Sequence, residues 1–542
     1  MSNPLPDAAP PAPAATPAPA HSIRATLRHR AFRGQLTGGS IYFIGNAMQA
    51  MAAAWLMVEV SGSSFLAALV QTAVFLPMFL IALPAGVLAD TTDRRRLMLA
   101  TLCVHALLVA LLAALFIAGV AGAATLLLLT FLAGCCTAML SPSWNSGIVD
   151  VVPRDELPQA ITAIGISYNS ARALGPALAG AVYALAGPGW VFLCALIGVA
   201  ALFESVRRYP PRPHPPSRLP PERLWGGMLS ALRFARHSET LLAQLVRTGA
   251  YSAAGSALWA LLPVIGQRQL GLGAAGFGLL MGCLGTGAVL AGLVIGRLRH
   301  KMGLEHLVLL GGVVFAVVMA VAALSTSRPL TYVALMFGGA SWMSVMSTYN
   351  TATQTSVPPW VRARATSLHT VCALGAFALG SAFWGALSDL FGLTAALLIG
   401  AVTMGAGLLL ARRFPLRMSD MEEVTQVPLS QDLFVAHQPD PEAGPVSVEI
   451  AYLVRPESSE AFLDDVTQLR GPRKRDGATL WRVYRDLSDP ARFAERFIVT
   501  SWADYLHQRA RGTVADQQIE ERLRAHLRPG TVPVVQHYIA ER

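Results

Sequence analysis

Charge is scarce in this chain. Asp, Glu, Lys and Arg make up 14% of its 542 residues against 54% hydrophobic, and the mean hydropathy is +0.48. Soluble domains carry about a quarter charged residues, so the composition excludes a wholly soluble enzyme or binding module. Cysteine is scarce as well. All six (Cys103, Cys135, Cys136, Cys194, Cys283 and Cys372) fall inside long apolar stretches, which excludes an extracellular disulfide framework or a zinc knuckle and leaves small apolar packing. No metal and no cofactor are expected. The opening MSNPLPDAAPPAPAATPAPA has no apolar core, so it reads as a disordered proline- and alanine-rich tail and not as a signal peptide. Carboxylates are missing from the middle of the apolar stretches: Glu59, Asp90, Asp150 and Asp389 all lie towards stretch ends.

What the chain has instead is apolar length. About 20 apolar residues span a hydrocarbon core, and twelve such windows fit between Leu36 and Ala411. They lie near 38–60, 65–88, 97–119, 124–148, 159–185, 188–206, 242–266, 274–296, 305–325, 330–354, 365–387 and 392–411. The expectation is an all-α, multi-pass protein of the cell membrane, with the lipid bilayer as its first partner. The short loops of one side carry Arg94, Arg95, Arg96, Arg154, Arg297, Arg299, Lys301, Arg362 and Arg364, whereas the other side has Arg268 and Arg328. Positive loops stay inside, so both termini are expected in the cytoplasm. The net charge of +10 then reads as topology and membrane-surface contact, and no nucleic-acid partner is expected. The basic stretch IRATLRHRAFRG is expected to rest on the inner leaflet.

A shift of 205 residues lays WNSGIVDVVPRDELPQA (144–160) over YNTATQTSVPPWVRARA (349–365), pairing Asn145 with Asn350 and Pro153 with Pro358. The same shift lays ARALGPALAG (171–180) over AFALGSAFWG (376–385), pairing Gly175 with Gly380 and Gly180 with Gly385. One offset through two helices argues for an internal repeat, here two parallel six-helix halves, a known transporter plan. The organisation expected is a tail and basic segment at 1–35, one half at 36–206, a cytoplasmic linker at 207–241 containing RRYPPRPHPPSRLPPERL, and the second half at 242–414. A polar linker at 415–445 and a soluble domain at 446–542 follow.

The turn GVLADTTDRRR (86–96) gathers glycine, aspartate and arginine between two apolar stretches, and GLVIGRLRHKMG (292–303) stands near the corresponding point of the second half. Here the sequence resembles the major facilitator superfamily, whose loop between helices 2 and 3 has the pattern Gly-x-x-x-Asp-Arg/Lys-x-Gly-Arg/Lys-Arg/Lys. Gly86, Asp90, Arg94 and Arg95 match it, while Thr91 and Asp93 depart from it. The resemblance implies a cytoplasmic gate in which Gly86 allows close helix approach and Asp90 accepts from helix N-termini or arginines; a topology-setting basic loop is the other reading. On helix 5, GISYNSARALGPALAG (165–180) resembles the glycine and proline motif of antiporters in that superfamily, through Gly165, Gly175, Pro176 and Gly180. Small-residue packing is the other reading of those four. FRGQLTGGSIYFIGNAMQAMAAAWLMVEVSGSS (32–64), FLPMFLIALPAGVLAD (75–90) and VRTGAYSAAGSALWALLPVI (246–265) look like the branch of the enterobactin exporter and the transmembrane secretion effectors.

That resemblance implies proton-driven efflux of a siderophore or similar small metabolite, with broad multidrug efflux as the competing reading. Coupling needs an ionisable group, and Asp90 and Asp150 are the proton candidates. Arg172 stands out as a charge midway along helix 5. Such a charge costs about 2.5–3.5 kcal/mol on insertion scales and so should face a cavity or a partner. In a cavity it favours an anionic substrate. Asn46, Gln49, Asn145, Tyr168, Asn169, Tyr349, Asn350 and Gln354 are candidates for the same cavity, or for helix-helix glue.

Residues 446–542 carry 15 basic and 14 acidic residues, as a soluble domain would. VSVEIAYLV (446–454) alternates as a strand with Val448, Ile450 and Tyr452 on one face, and Phe462, Val466 and Leu469 follow helical spacing. TLWRVYRD (479–486) and RFAERFIVTSW (492–502) read as a strand pair, Thr513 and Asp516 as a capping box, and VPVVQHYIA (532–540) as a last strand. This order predicts an α+β ferredoxin-like fold. It resembles the dimeric α/β-barrel domains of the antibiotic-biosynthesis monooxygenase type, which implies pairing of two copies through 446–542. Trp481, Trp502 and His537 are pocket candidates there, though core or surface placement is the commoner fate of such residues. A dimerisation or regulatory module is favoured over a catalytic one, so no enzyme activity is expected. A membrane-anchored enzyme acting through this domain is the third reading of the chain.

Overall fold

The computed structural model describes residues 26–153, 156–208, 232–427 and 439–541. The proline-rich tail and most of both linkers lie outside these. Twelve long helices follow one another: α1 Arg30–Ser61, α2 Ser64–Thr91, α3 Arg94–Ile117, α4 Ala123–Val151, α5 Leu157–Ala186, α6 Pro188–Arg208, α7 Glu239–Val264, α8 Ala274–Met302, α9 Leu304–Leu324, α10 Arg328–Thr355, α11 Pro359–Phe391 and α12 Leu393–Leu408. Hydrocarbon offers no partner to a backbone N–H or C=O, so each apolar window satisfies its own as a helix. Several ends run past the apolar windows, α1 back to Arg30, α8 on to Met302 and α11 back to Pro359, because hydropathy marks the lipid-spanning length and not the wet turns beyond it. Among the described residues eleven helices are long and apolar enough to cross a membrane, and α5 is not one of them. It has the length, 30 residues, but its middle holds Tyr168, Asn169 and Arg172.

Local chemistry sets the boundaries. Ser63 caps α2 by accepting from the Leu66 amide at 3.2 Å, and α1 stops at Gly62, whose φ of +63° is left-handed backbone. Asp93 caps α3, its Oδ1 accepting from the amides of Arg95 at 2.9 Å and Arg96 at 3.1 Å. That is the residue standing where the superfamily pattern has glycine, and capping is what it does here.

The two six-helix halves pack alike. Helix α1 lies against α5 and α6, α2 against α4, and α3 against α6; likewise α7 lies against α11 and α12, α8 against α10, and α9 against α12. The halves meet through α2 with α11 and α5 with α8. The paired glycines occupy equivalent places in this arrangement. A Cβ on Gly175 would lie 2.6 Å from Ala47 Cβ on α1, and one on Gly380 would lie 2.7 Å from the Ala253 carbonyl on α7, each within its own half. One on Gly180 would meet the Ala274 carbonyl of α8 at 2.6 Å, and one on Gly385 would meet Ala68 Cβ of α2 at 2.4 Å, each across the divide.

Beyond α12 the chain stays beneath the second half. The Leu416 amide donates to Glu305 at 2.7 Å, and Ser419 donates to the Ser356 carbonyl at 3.1 Å. Gln426 then bridges to Thr513 of the terminal domain. That domain has four antiparallel strands, β1 Val446–Leu453, β2 Leu480–Arg485, β3 Arg492–Val499 and β4 Val534–Ile539, in the order β2-β3-β1-β4. This is the ferredoxin-like order. Tyr452 and Phe493 pack on one face of the sheet against Phe462, Val466 and Leu523 of helices 459–468 and 514–525. The Thr513–Asp516 capping box is present. Helices Arg470–Asp476 and Trp502–Ala510 depart from the expected order; the first carries no apolar period, and the second begins where the strand pattern of 492–502 ends. The domain docks on the helical bundle through Arg233, which donates to the Gly477 carbonyl at 3.0 Å, and through Arg511, whose guanidinium lies 4.3 Å above the Trp360 ring at the start of α11.

Gly180→Val should lose most transport at unchanged expression, because its side chain must displace α8 backbone at an overpacking cost of about 1–3 kcal/mol. Gly165→Ala, whose Cβ meets nothing within 4 Å, should transport normally. Efflux per copy of surface protein, measured for both variants, checks this.

Candidate functional site

A cavity of about 280 Å³ lies between the halves near mid-span of the helices, at the low end of the roughly 300–1,000 Å³ usual for small-molecule sites. Its wall is mostly aromatic and apolar. Phe75 of α2 contacts Phe377 of α11 with centroids 5.0 Å apart, Phe377 contacts Trp342 of α10 at 5.9 Å, and Trp342 contacts Trp259 of α7 at 6.0 Å. Arg172 of α5 completes the run, its guanidinium 5.4 Å from the Trp259 centroid. On the other side Phe43 of α1 meets Tyr168 of α5 edge-on at 5.3 Å. Among the described residues of the lining Arg172 is the only charged one, and it has no carboxylate partner among the described residues. Asn46 and Gln71 add polar groups that have no hydrogen-bond partner among the described residues, while Asn169 spends its amide on the Gly165 carbonyl at 2.8 Å.

Four of the nine cavity candidates therefore line it: Asn46, Tyr168, Asn169 and Arg172. The other five stand elsewhere. Gln49 is buried in α1 one residue out of phase with Asn46, Ala47 and Ala50, which face the cavity, and one residue is about 100° of helix. Asn145 is exposed near the end of α4. Tyr349 is buried beside Tyr251 and below the Arg247 guanidinium at 5.9 Å. Asn350 and Gln354 bond to each other along α10 at 2.5 Å. Sequence reading missed Gln71, Trp259 and Trp342. A glutamine in an otherwise apolar span was one available signal, and tryptophan at mid-span, away from the interfacial belts, was the other.

The gate candidates are placed only in part. Gly86 and Asp90 lie in the last turns of α2 and Asp150 near the end of α4, but their side chains are outside the described residues. Arg95 closes its own half, donating from Nη2 to the Arg207 carbonyl at 2.5 Å and from Nε to the Val206 carbonyl at 3.4 Å, at the end of α6. Of the helix 5 motif, Gly175 and Gly180 are close-approach points, Gly165 faces open space and Pro176 lines the cavity.

A buried ion pair escaped the sequence reading altogether. Arg247 of α7, 2% exposed, donates to Glu305 at the start of α9 at 2.7 Å, and the same carboxylate oxygen takes the Leu416 amide. In the terminal domain Trp481 lines a cavity of about 400 Å³ with Arg470, Lys474 and Arg482, while Trp502 and His537 pack against each other. Trp481 donates to the buried Glu495 at 2.9 Å. Trp502 lies under Tyr505, whose hydroxyl bonds His537 Nε2 at 2.6 Å. Burial, with Arg509 nearby, lowers the pKa of His537 below the ordinary histidine value. Among the described residues no group of three or more His, Cys, Asp or Glu is arranged to hold a metal.

Two six-helix halves in parallel repeat, closed on a central cavity, define a transporter of the major facilitator type. Comparison with known proteins narrows this: the transmembrane secretion effector family model matches residues 21–542, and the chain belongs to that family. Similar curated proteins include the multidrug efflux pump Tap of Mycolicibacterium fortuitum, 26% identical over 68% of this chain and 91% of Tap. Another is the staphyloferrin A transporter of Staphylococcus aureus, 20% identical over 65% of this chain and 88% of that protein. Among solved structures, the nucleoside transporter NupG (D323A mutant) superposes with a TM-score of 0.61 at 11% identity, over 71% of this chain and 99% of its own. A bacterial homologue of the lysosomal transporter Spinster gives 0.55 at 15% identity, over 71% and 95%. Both structural likenesses speak to fold.

Removing Arg247 should leave Glu305 and the Leu416 amide with a broken network. Arg247→Met is expected to destabilise the helical domain by about 3 kcal/mol, the lower end for a broken buried pair because Glu305 is partly exposed. Arg247→Met with Glu305→Gln should recover much of that. Thermal unfolding of both variants in detergent checks the pair.

Proposed function

We propose that this protein exports a small, amphipathic, anionic metabolite by alternating access, driven by proton entry. The observation that carries the reading is Arg172: a guanidinium on an aromatic wall, in a cavity whose described lining has no carboxylate. A single cation with no counter-charge attracts one anionic group, and the rings around it offer apolar burial to the rest of the ligand. The loop charges favour termini in the cytoplasm, and the helix 5 glycine and proline motif favours efflux over uptake. The relatives named above as an efflux pump and a siderophore transporter are compatible with this and bracket the substrate range, a siderophore-like carboxylate or catecholate at one end. Asp90 and Asp150 remain the proton candidates, since among the described residues the cavity itself offers no acid. The terminal domain is read as a regulatory or dimerising module and not as an enzyme. Broad multidrug efflux is the second reading, favoured by the flexible Met281 and Met343 side chains in the lining.

Arg172→Gln should impair efflux of an anionic substrate at least tenfold, while a neutral or cationic dye loses less than twofold, consistent with loss of about 1.4 kcal/mol or more of charge-assisted binding. Arg172→Lys should recover part of the anion loss. Initial efflux rates of both classes, normalised to surface protein, decide it. Equal losses for both would return Arg172 to helix packing, and no loss would remove it from transport.

A further inference from the structure

Asp389 takes no part in the cavity or in the gate turn, yet it makes a dense set of bonds between the halves. It lies near the end of α11, in the second half, and its carboxylate reaches the start of α2, in the first. Oδ1 accepts the Ser64 amide at 2.9 Å, and Oδ2 accepts the Ser63 hydroxyl at 2.7 Å and the Phe65 amide at 3.2 Å. The first amides of a helix have no partner within it. At α2 the Leu66 amide is taken by the Ser63 hydroxyl and the Ala67 amide by the Ser63 carbonyl at 3.2 Å, and Asp389 supplies what the helix lacks at Ser64 and Phe65. Its negative charge also sits at the positive end of the helix dipole. Beside it Arg268, again from the second half, donates to the Gly62 carbonyl in the turn before α2. One turn of α11 earlier, Gly385 lets that helix lie directly on Phe65 and Ala68. At the 205 offset the mate of Asp389 is Ala184, near the end of α5, so the second interface between halves has no carboxylate at the equivalent position. Repeat packing therefore does not call for Asp389.

We propose that Asp389 is a latch: by capping α2 from the opposite half, it holds the face away from the termini shut and sets how often the transporter opens there. Opening that face separates α11 from the start of α2. Ser64 and Phe65 must then exchange a carboxylate for water, and charge-assisted bonds of this kind are the strong ones. The latch lies at a helix end, far along α11 from the cavity residues Leu374 and Phe377, so it acts on the conformational equilibrium and not on substrate contacts.

The test is a distance measurement across that face and needs no substrate. Spin labels go at Val120, exposed in the turn after α3, and at Thr326, exposed in the turn before α10, in the full-length protein with its six native cysteines replaced and reconstituted in lipid. The parent should show mainly the short distance. Asp389→Asn should shift the equilibrium towards the long distance roughly tenfold or more. Ser64→Pro provides a second route: proline suits the first helical position, and Ser63 is already extended at φ −102° and ψ 131°, so the change removes what Ser64 donates and leaves the carboxylate with its Ser63 and Phe65 donors. It should shift the same way by less, and the double variant should shift no further than Asp389→Asn alone. An unchanged distance distribution in folded Asp389→Asn would overturn the latch. If that variant does not fold, an unchanged distribution in Ser64→Pro would overturn it instead.

Discussion

The fold depends on how closely two helix backbones approach where the halves meet. At Gly180 against Ala274 and at Gly385 against Ala68, there is no room for even a methyl group. At these points the two interfaces carry so little side-chain volume that backbone lies directly on backbone, while elsewhere along α2 and α11 the rings of Phe75 and Phe377 meet. The cavity follows from the same geometry. Close approach at these points places mid-span residues of α1, α2, α5, α7, α8, α10 and α11 around a shared space, and the aromatic rings fill its wall.

Much of this was legible in the sequence for a physical reason. Hydrocarbon forces one secondary structure on any segment that crosses it, so apolar length located most of the twelve helices, α5 with its polar middle being the weakest case. The 205-residue repeat also carried three-dimensional information, since Gly175 and Gly380 play one role and Gly180 and Gly385 another. Helix phase was less legible. Asn46 and Gln49 are both polar residues of α1, but only Asn46 lies on the face that turns to the cavity; in an apolar helix buried on several sides no amphipathic stripe distinguishes them. The pairing of Arg247 with Glu305 joins residues 58 apart, with no local pattern to announce it. In the terminal domain the strand alternation survived because one face of the sheet is packed and the other is open, whereas Arg470–Asp476 gave no periodic signal.

Polar groups at the helix ends divide the labour. Asp93 and Arg95 serve the first half alone, one starting α3 and the other closing α6. Arg247 and Glu305 serve the second half alone and fasten the chain as it leaves α12. Asp389 and Arg268 reach from one half to the other. Charges that stabilise a half can be strong without cost to motion, but those that span the divide must be few and releasable.

The terminal domain is fastened by Gln426, Ser419, Arg233 and Arg511 to the second half and to the segment leading into α7. It is therefore tied to one side of the divide. In the alternating access proposed above it would travel with the second half, and a small tilt inside the membrane would become a larger arc at its far edge. Leu480, Tyr484, Val534 and Tyr538 stand exposed on the strands of its sheet. A load placed on that surface would then act on the tilt from outside the membrane.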